Sequence, residues 1–310
     1  MITRTSAPLL LARLTLAGSA FFASSASAQM MPAVARQAKQ YNTVAVHLNA
    51  MNYFGDLVPK PAFTSFRFGA TRPNLGISFM HRFVPRLSGR VALSYGRITG
   101  DDQKSADKND TEGIYRYNRN LRFRSDIVEL SAVGVIDLFE NRGTYLKRRD
   151  FSPYIFLGVA GFYHNPKAAN EAGEFVALQP LGTEGQFSSK GGYPSPYKRL
   201  QLSIPFGLGV NYKLSRQFSL GYEIGWRKTF TDYLDDVSGT YADKADLQNA
   251  DAVFLSDLST DETKLNPKFK RAYGIKGAQR GTNNENDWYI VSGFNLSYIL
   301  IPDTKSPKFR

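Results

Sequence analysis

The chain is predicted to be all-β: an eight-stranded antiparallel up-and-down transmembrane β-barrel of the outer-membrane type. Three observations predict it. Large apolar residues alternate with small or polar ones along eight segments, the period of a strand with two unlike faces. The connections between segments alternate short and long, the parity of periplasmic turns and external loops. The face opposite the apolar one is rich in Gly, Ala and Ser, which suits the narrow interior of eight strands better than a solvated surface.

The N-terminus carries Arg4 and Arg13, an apolar run from Leu14 to Ala23, and Ala26-Ser27-Ala28. That order reads as a signal peptide over 1–28, followed by an N-terminal segment over 29–40, a barrel over 41–301 and a periplasmic tail over 302–310. The exported part has no run of eighteen apolar residues, so no membrane-spanning helix is expected, and mean hydropathy is −0.33. With no Cys among 310 residues, a disulfide scaffold and a lipid-modified Cys anchor are both excluded. Formal net charge is +12, and removing Arg4 and Arg13 leaves +10 for the mature chain. The positive charge is dispersed and no basic stripe or motif accompanies it, so no nucleic-acid partner is expected.

In chain order, the first strand has Val44, Val46, Leu48 and Ala50 on one face, the second Leu75, Ile77, Phe79 and Phe83, the third Val91, Leu93 and Tyr95. The fourth has Val128, Leu130, Ala132, Ile136 and Leu138; the fifth, with Ile155, Leu157, Val159 and Tyr163, is apolar on both faces. The hairpin Leu200 to Phe230 supplies the sixth and seventh, and Trp288 to Ile301 the eighth. Short turns are expected around Pro85–Leu87, Asn141–Gly143 and Ser215–Gln217, and long loops over 53–73, 100–122, 164–197 and 231–287. Aromatic residues gather at both strand ends, as two membrane interfaces select. Tyr53, Phe54, Phe162, Tyr163, Trp226, Phe230, Tyr233 and Trp288 lie toward the loops, and Phe83, Phe139, Phe151, Tyr212, Phe218 and Tyr298 toward the turns. The apolar face is therefore assigned to lipid, with Lys228 near enough to the rim to snorkel.

The opposite parity puts Arg82, Arg90, Glu129, Asp137, Glu223 and Arg227 in the lumen, where they are expected to pair as a polar plug rather than line an open pore. No catalytic residue, cofactor or metal site is expected. Among the three His, only His164 is placed at the loop-side rim, where an exposed polar residue is the simple expectation, and no G-x-S-x-G motif occurs. The last long loop carries Asp and Glu in its first half and Lys and Arg in its second. Its oxygen ligands are dense enough for calcium, but no D-x-D-x-D-G spacing occurs, so acidic half folded against basic half is the simpler expectation.

The stretches NYFGDL (52–57), SYGRITGDD (94–102), RNLRFRSDIVELS (119–131), FYHNPKA (162–168), LQPLGTEGQ (178–186) and RKTFTDYLDDVSGTYAD (227–243) resemble a family of Bacteroidota outer-membrane barrels that includes PorG of the type IX secretion apparatus. The resemblance implies a small outer-membrane barrel and, for the PorG member, association with the periplasmic ring of PorK and PorN. The expectation is a non-enzymatic assembly or anchoring component in contact with outer-membrane lipid. The alternative is a general structural or surface-binding barrel, with a lipid-modifying enzyme a distant third. The exposed turn side is basic, and Lys147, Arg148 and Arg149 are its most concentrated charge and the candidate periplasmic contact.

Overall fold

Eight strands follow the apolar alternation: β1 (Asn42–Phe54), β2 (Arg72–Arg82), β3 (Leu87–Asp101), β4 (Arg122–Asp137), β5 (Phe151–Ala169), β7 (Leu200–Lys213), β8 (Phe218–Thr229) and β11 (Trp288–Leu300). The computed structural model describes residues 40–58, 69–107, 109–141, 144–259, 265–266 and 271–300. The expected signal peptide, nearly all of the segment after it and the expected periplasmic tail lie outside the described residues. Each barrel strand pairs antiparallel with the next, and β1 pairs with β11 along its whole length, from Asn42 opposite Leu300 to Phe54 opposite Trp288. The sheet is thus closed, leaving no barrel edge. A short β6 (Phe175–Ala177) extends it beside the loop-side end of β5. The cross-strand ladder between β5 and β7 skips the stretch where Gly158 would face Pro205, which has no N–H to donate.

The outward face is apolar around the ring. Val46, Ile77, Leu130, Val159, Leu202 and Phe294 are each more than half exposed. Such a girdle would be an aggregation surface in water and is the surface an outer-membrane barrel presents to lipid. The turn-side aromatics Phe83, Phe139, Phe151, Tyr212 and Phe218 also face out. On the loop side the expected belt is corrected. Tyr163 and Phe230 face out, but Tyr53, Phe54 and Phe162 are buried, because β1 and β5 run on past the membrane into packed loops. Inside, missing side chains make room for large ones. A Cβ on Gly209 would meet the Tyr154 ring at 2.4 Å, and Cβ atoms on Gly207 and Gly225 would each meet Phe156 at 2.6 Å. This explains why β5 reads as apolar on both faces.

The long connections are not loose. They carry α1 (Asp102–Ser105), α2 (Thr111–Arg119), α3 (Ala250–Ser256) and the two-residue pair β9 (Leu265–Asn266) and β10 (Arg271–Ala272). Asp110 caps α2 by accepting from the Gly113 N–H, and Asn249 caps α3 by accepting from Ala252. Leu57, Leu121, Leu178, Leu234, Val237 and Leu255, drawn from all four loops, form one apolar cluster with Met51, Ile127, Phe162 and Tyr289 at the barrel mouth. The loops together form a cap with its own core.

Candidate functional site

Strand register places the six lumen charges, and the structure brings them together as three ion pairs at three heights. Arg82 on β2 meets Asp137 on β4 at 2.5 Å near the turn side. In the middle, Arg90 on β3 and Glu223 on β8 reach across the full diameter and bond twice, at 2.6 and 3.1 Å, while the Tyr154 hydroxyl donates to Glu223 at 3.0 Å. Above them Arg227 meets Glu129 at 3.3 Å, and Tyr289 donates to the same carboxylate at 2.5 Å. The Arg90 guanidinium also lies 5.2 Å from the Phe156 ring centre. His47 shares a 2.8 Å hydrogen bond with Ser78 beside these pairs. Two cavities in this interior measure about 40 and 30 Å³, room for a water or two and no more.

The turn side corrects one expectation. Lys147 and Arg149 are exposed, but Arg148 is 7 % exposed and turned inward. Its guanidinium donates to the carbonyls of Tyr145, Arg216, Ser215 and Phe218 at 2.5–3.0 Å and to Ser219 Oγ at 3.0 Å. The connection after β4 thereby folds under the barrel and is stitched to the turn between β7 and β8. Arg148 is a bottom clamp, not a free contact. His164 is likewise not the exposed rim residue expected. It is fully buried, stacked on Tyr197 with ring centres 5.9 Å apart, its Nε2 3.3 Å from the Lys198 carbonyl.

The cap holds a second charge network that parity reasoning did not reach. Arg119 grips Asp102 with two bonds of 2.8 Å and donates to the carbonyls of Arg280 and Asp56. Arg280 bonds Glu184 at 2.9 Å and the Asp236 carbonyl at 2.6 Å. Asp236 also accepts from Thr183 at 2.5 Å and Tyr197 at 2.6 Å. Between cap and lumen, the Tyr53 hydroxyl bridges Asp235 at 2.6 Å and Asp287 at 3.0 Å. Burial first, and then repulsion from Asp56 at Asp235 and from Asp235 at Asp287, pushes both carboxyls well above the usual range. Burial, reinforced by Asp56, Glu184 and Glu285, raises Asp232 to about 8. Burial outweighs Arg280 at Asp236, which is pushed up to about 6. The last loop does fold its acidic half against its basic half, with Lys276 3.8 Å from Asp243 and 3.7 Å from Asp246 and Arg280 3.8 Å from Asp236, while Asp235 and Asp236 also bond Tyr53 and Thr183 outside the loop. A signal for these residues was present. Asp56, Asp102, Arg119, His164, Glu184, Asp235 and Asp236 all fall inside the six quoted stretches, one or two in each.

The arrangement holds fixed charge across the lumen at three heights. Residues 27–177 match the model of a domain of unknown function, DUF6089. No curated protein matches the chain. Among solved structures it is similar to Ail, the attachment invasion locus protein of Yersinia pestis, at 6 % identity over 84 % of this chain and 99 % of that one, with a TM-score of 0.38. It is also similar to Neisserial surface protein A at 10 % identity over 84 % and 95 %, TM-score 0.34. A major outer membrane protein from Thermus thermophilus is a third, at 14 % identity over 84 % and 99 %, TM-score 0.36. At these values the likenesses carry no argument; the barrel rests on its own closed register.

Proposed function

We propose that this chain is a sealed outer-membrane barrel that works as an anchor, a non-enzymatic assembly component of the PorG type in type IX secretion. The observation that carries the sealed-anchor reading is the stack of three cross-lumen ion pairs, closed below by Arg148 and above by the four-loop cap. A conductor would need a continuous wet path, and a rim enzyme would need its His accessible. The secretion role rests on the sequence resemblance alone. A barrel reaches the PorK and PorN ring only from its turn side, where Lys147, Arg149, Asp150 and Arg216 are exposed charges near Arg148. Planar-bilayer recording should detect no stable large-conductance channel. Deleting the gene should abolish secretion of type IX cargo, and Lys147→Glu with Arg149→Glu should weaken ring copurification in a salt-dependent way.

The packed external cap favours one alternative, a barrel that presents a rigid binding surface outside the cell. Normal cargo secretion in the deletion strain would select it over the PorG-type role.

A further inference from the structure

We propose that the outer wall of β3, β4 and β5, just above the apolar girdle, is a binding surface for a phosphate-bearing lipid of the outer leaflet; this rests on the membrane reading above. Three rows cross these strands. Tyr95, Val128 and Tyr163 lie side by side and close the girdle. Two residues further come Arg97, Asp126 and Asn165, and two beyond that Thr99, Arg124 and Lys167, with Arg122 opposite Asp101 at the top. All keep the outward parity of the girdle. Arg199 joins them from the start of β7, donating to Asn165 at 3.3 Å and lying 5.6 Å from the Tyr163 ring centre.

Two residues of strand advance about 6.6 Å. With a tilt of roughly 40° each row stands about 5 Å higher than the last. The headgroup zone on each side of the hydrocarbon is about 5–8 Å deep. The cations therefore begin where acyl chains end and phosphates begin. Only Asp126, 2.6 Å from Arg97, and Asp101, 3.0 Å from Lys104, offset them among the outward residues of these rows. Arg124 is pre-set by stacking on Phe175, 3.2 Å from its ring centre, and Phe175 is itself half exposed. Arg97, Arg122 and Arg124 also line a cleft of about 1030 Å³, together with Asp101, Asp107 and Glu171. The opposite wall is unlike this: Lys228, 5.5 Å from the Trp288 ring, is its rim cation on β8. Chains lying along Leu93, Leu130 and Leu157 would bring a headgroup phosphate to the arginines, a fork geometry suited to phosphate oxygens.

The test uses the folded barrel in zwitterionic nanodiscs, with bisphosphorylated lipid A as probe and native mass spectrometry as readout. Retention should be at least about tenfold above that of dephosphorylated lipid A, and Arg122→Gln, Arg124→Gln and Lys167→Gln combined should remove the difference, whereas Lys147→Gln with Arg149→Gln should not. If the triple variant does not fold, Lys167→Gln alone should lower retention. Equal retention of both lipids, or no effect of the rim variants, overturns the proposal while leaving a heat-modifiable barrel intact. Displacement by inorganic phosphate alone also overturns it, in favour of a soluble anion. A chain that never shows heat-modifiable migration would instead sink the membrane reading itself.

Discussion

Arg90 and Glu223 sit on opposite walls, so losing either strands the other together with Tyr154. Glu223→Leu should cost about 3–5 kcal/mol, read as a lowered urea midpoint of the heat-modifiable band. Arg148 is predicted to behave the same way. Its five bonds hold the floor of the barrel, so Arg148→Glu would place a carboxylate against four carbonyls and should unfold the turn side, while Lys147→Glu and Arg149→Glu leave the midpoint within about 0.5 kcal/mol. The contrast explains what was legible at this scale. On a strand, parity decides which way a side chain points, and Arg82, Arg90, Glu129, Asp137, Glu223 and Arg227 could be placed by counting. In a turn no period applies, and Arg148 read like its exposed neighbours. The same holds for Glu184 and Arg280, which meet only because two distant loops fold together.

Among the elements, seven of the eight barrel strands were visible as alternation, because two solvents as different as lipid and a polar lumen leave a strong period; β5 was blurred because Tyr154 and Phe156 fill its lumen face opposite glycines. The loop-side ends of the strands were not visible. β5 runs to Ala169 and keeps its parity, but beyond Tyr163 the outward residues Asn165 and Lys167 are polar while Phe162 and Ala168 are buried under the cap, so the apolar residues no longer mark the lipid face. The helices α1 and α2 lie in a connection with no apolar stripe long enough to mark them. The face assignment itself is open to direct test. Ile77 lies at the centre of β2 and is 60 % exposed, so Ile77→Arg should cost about 2–4 kcal/mol in lipid refolding. Gly209→Leu should cost at least as much, since even the Cβ it adds would overlap the Tyr154 ring, and Gly209→Leu with Tyr154→Ala should recover part of the loss.

At the scale of the whole molecule, cap and barrel should respond differently to pH. Asp232 at about 8, with Asp56 and Asp236 at about 6, bind protons in the folded cap at pH values where an unfolded loop, with an ordinary value of 3.8, does not. The folded cap therefore gains stability as pH falls from about 8 toward 6.5 and loses it as pH rises through that window; below it His164, held down to about 4 chiefly by burial, takes up a proton only on unfolding and offsets the gain. Asp257, held at about 2 against burial by Lys244 and Ser259, works the other way only below that window. Cleavage of the loops by a broad-specificity protease should be several-fold slower at pH 6 than at pH 8, with the barrel band unchanged. In this Cys-free chain, Glu171→Cys should react with an impermeant reagent on intact cells and Lys147→Cys should not; the reverse pattern would invert the topology. The ring closes where the chain's earliest strand, Asn42–Phe54, meets its last, Trp288–Leu300. Nothing made before the final segment can be finished: a nascent product lacking it offers two raw edges, each greedy for any backbone within reach. A copy clipped before Trp288 would leave the backbone N–H and C=O groups along one side of β1 and one side of β8 without partners, open to pairing with another chain.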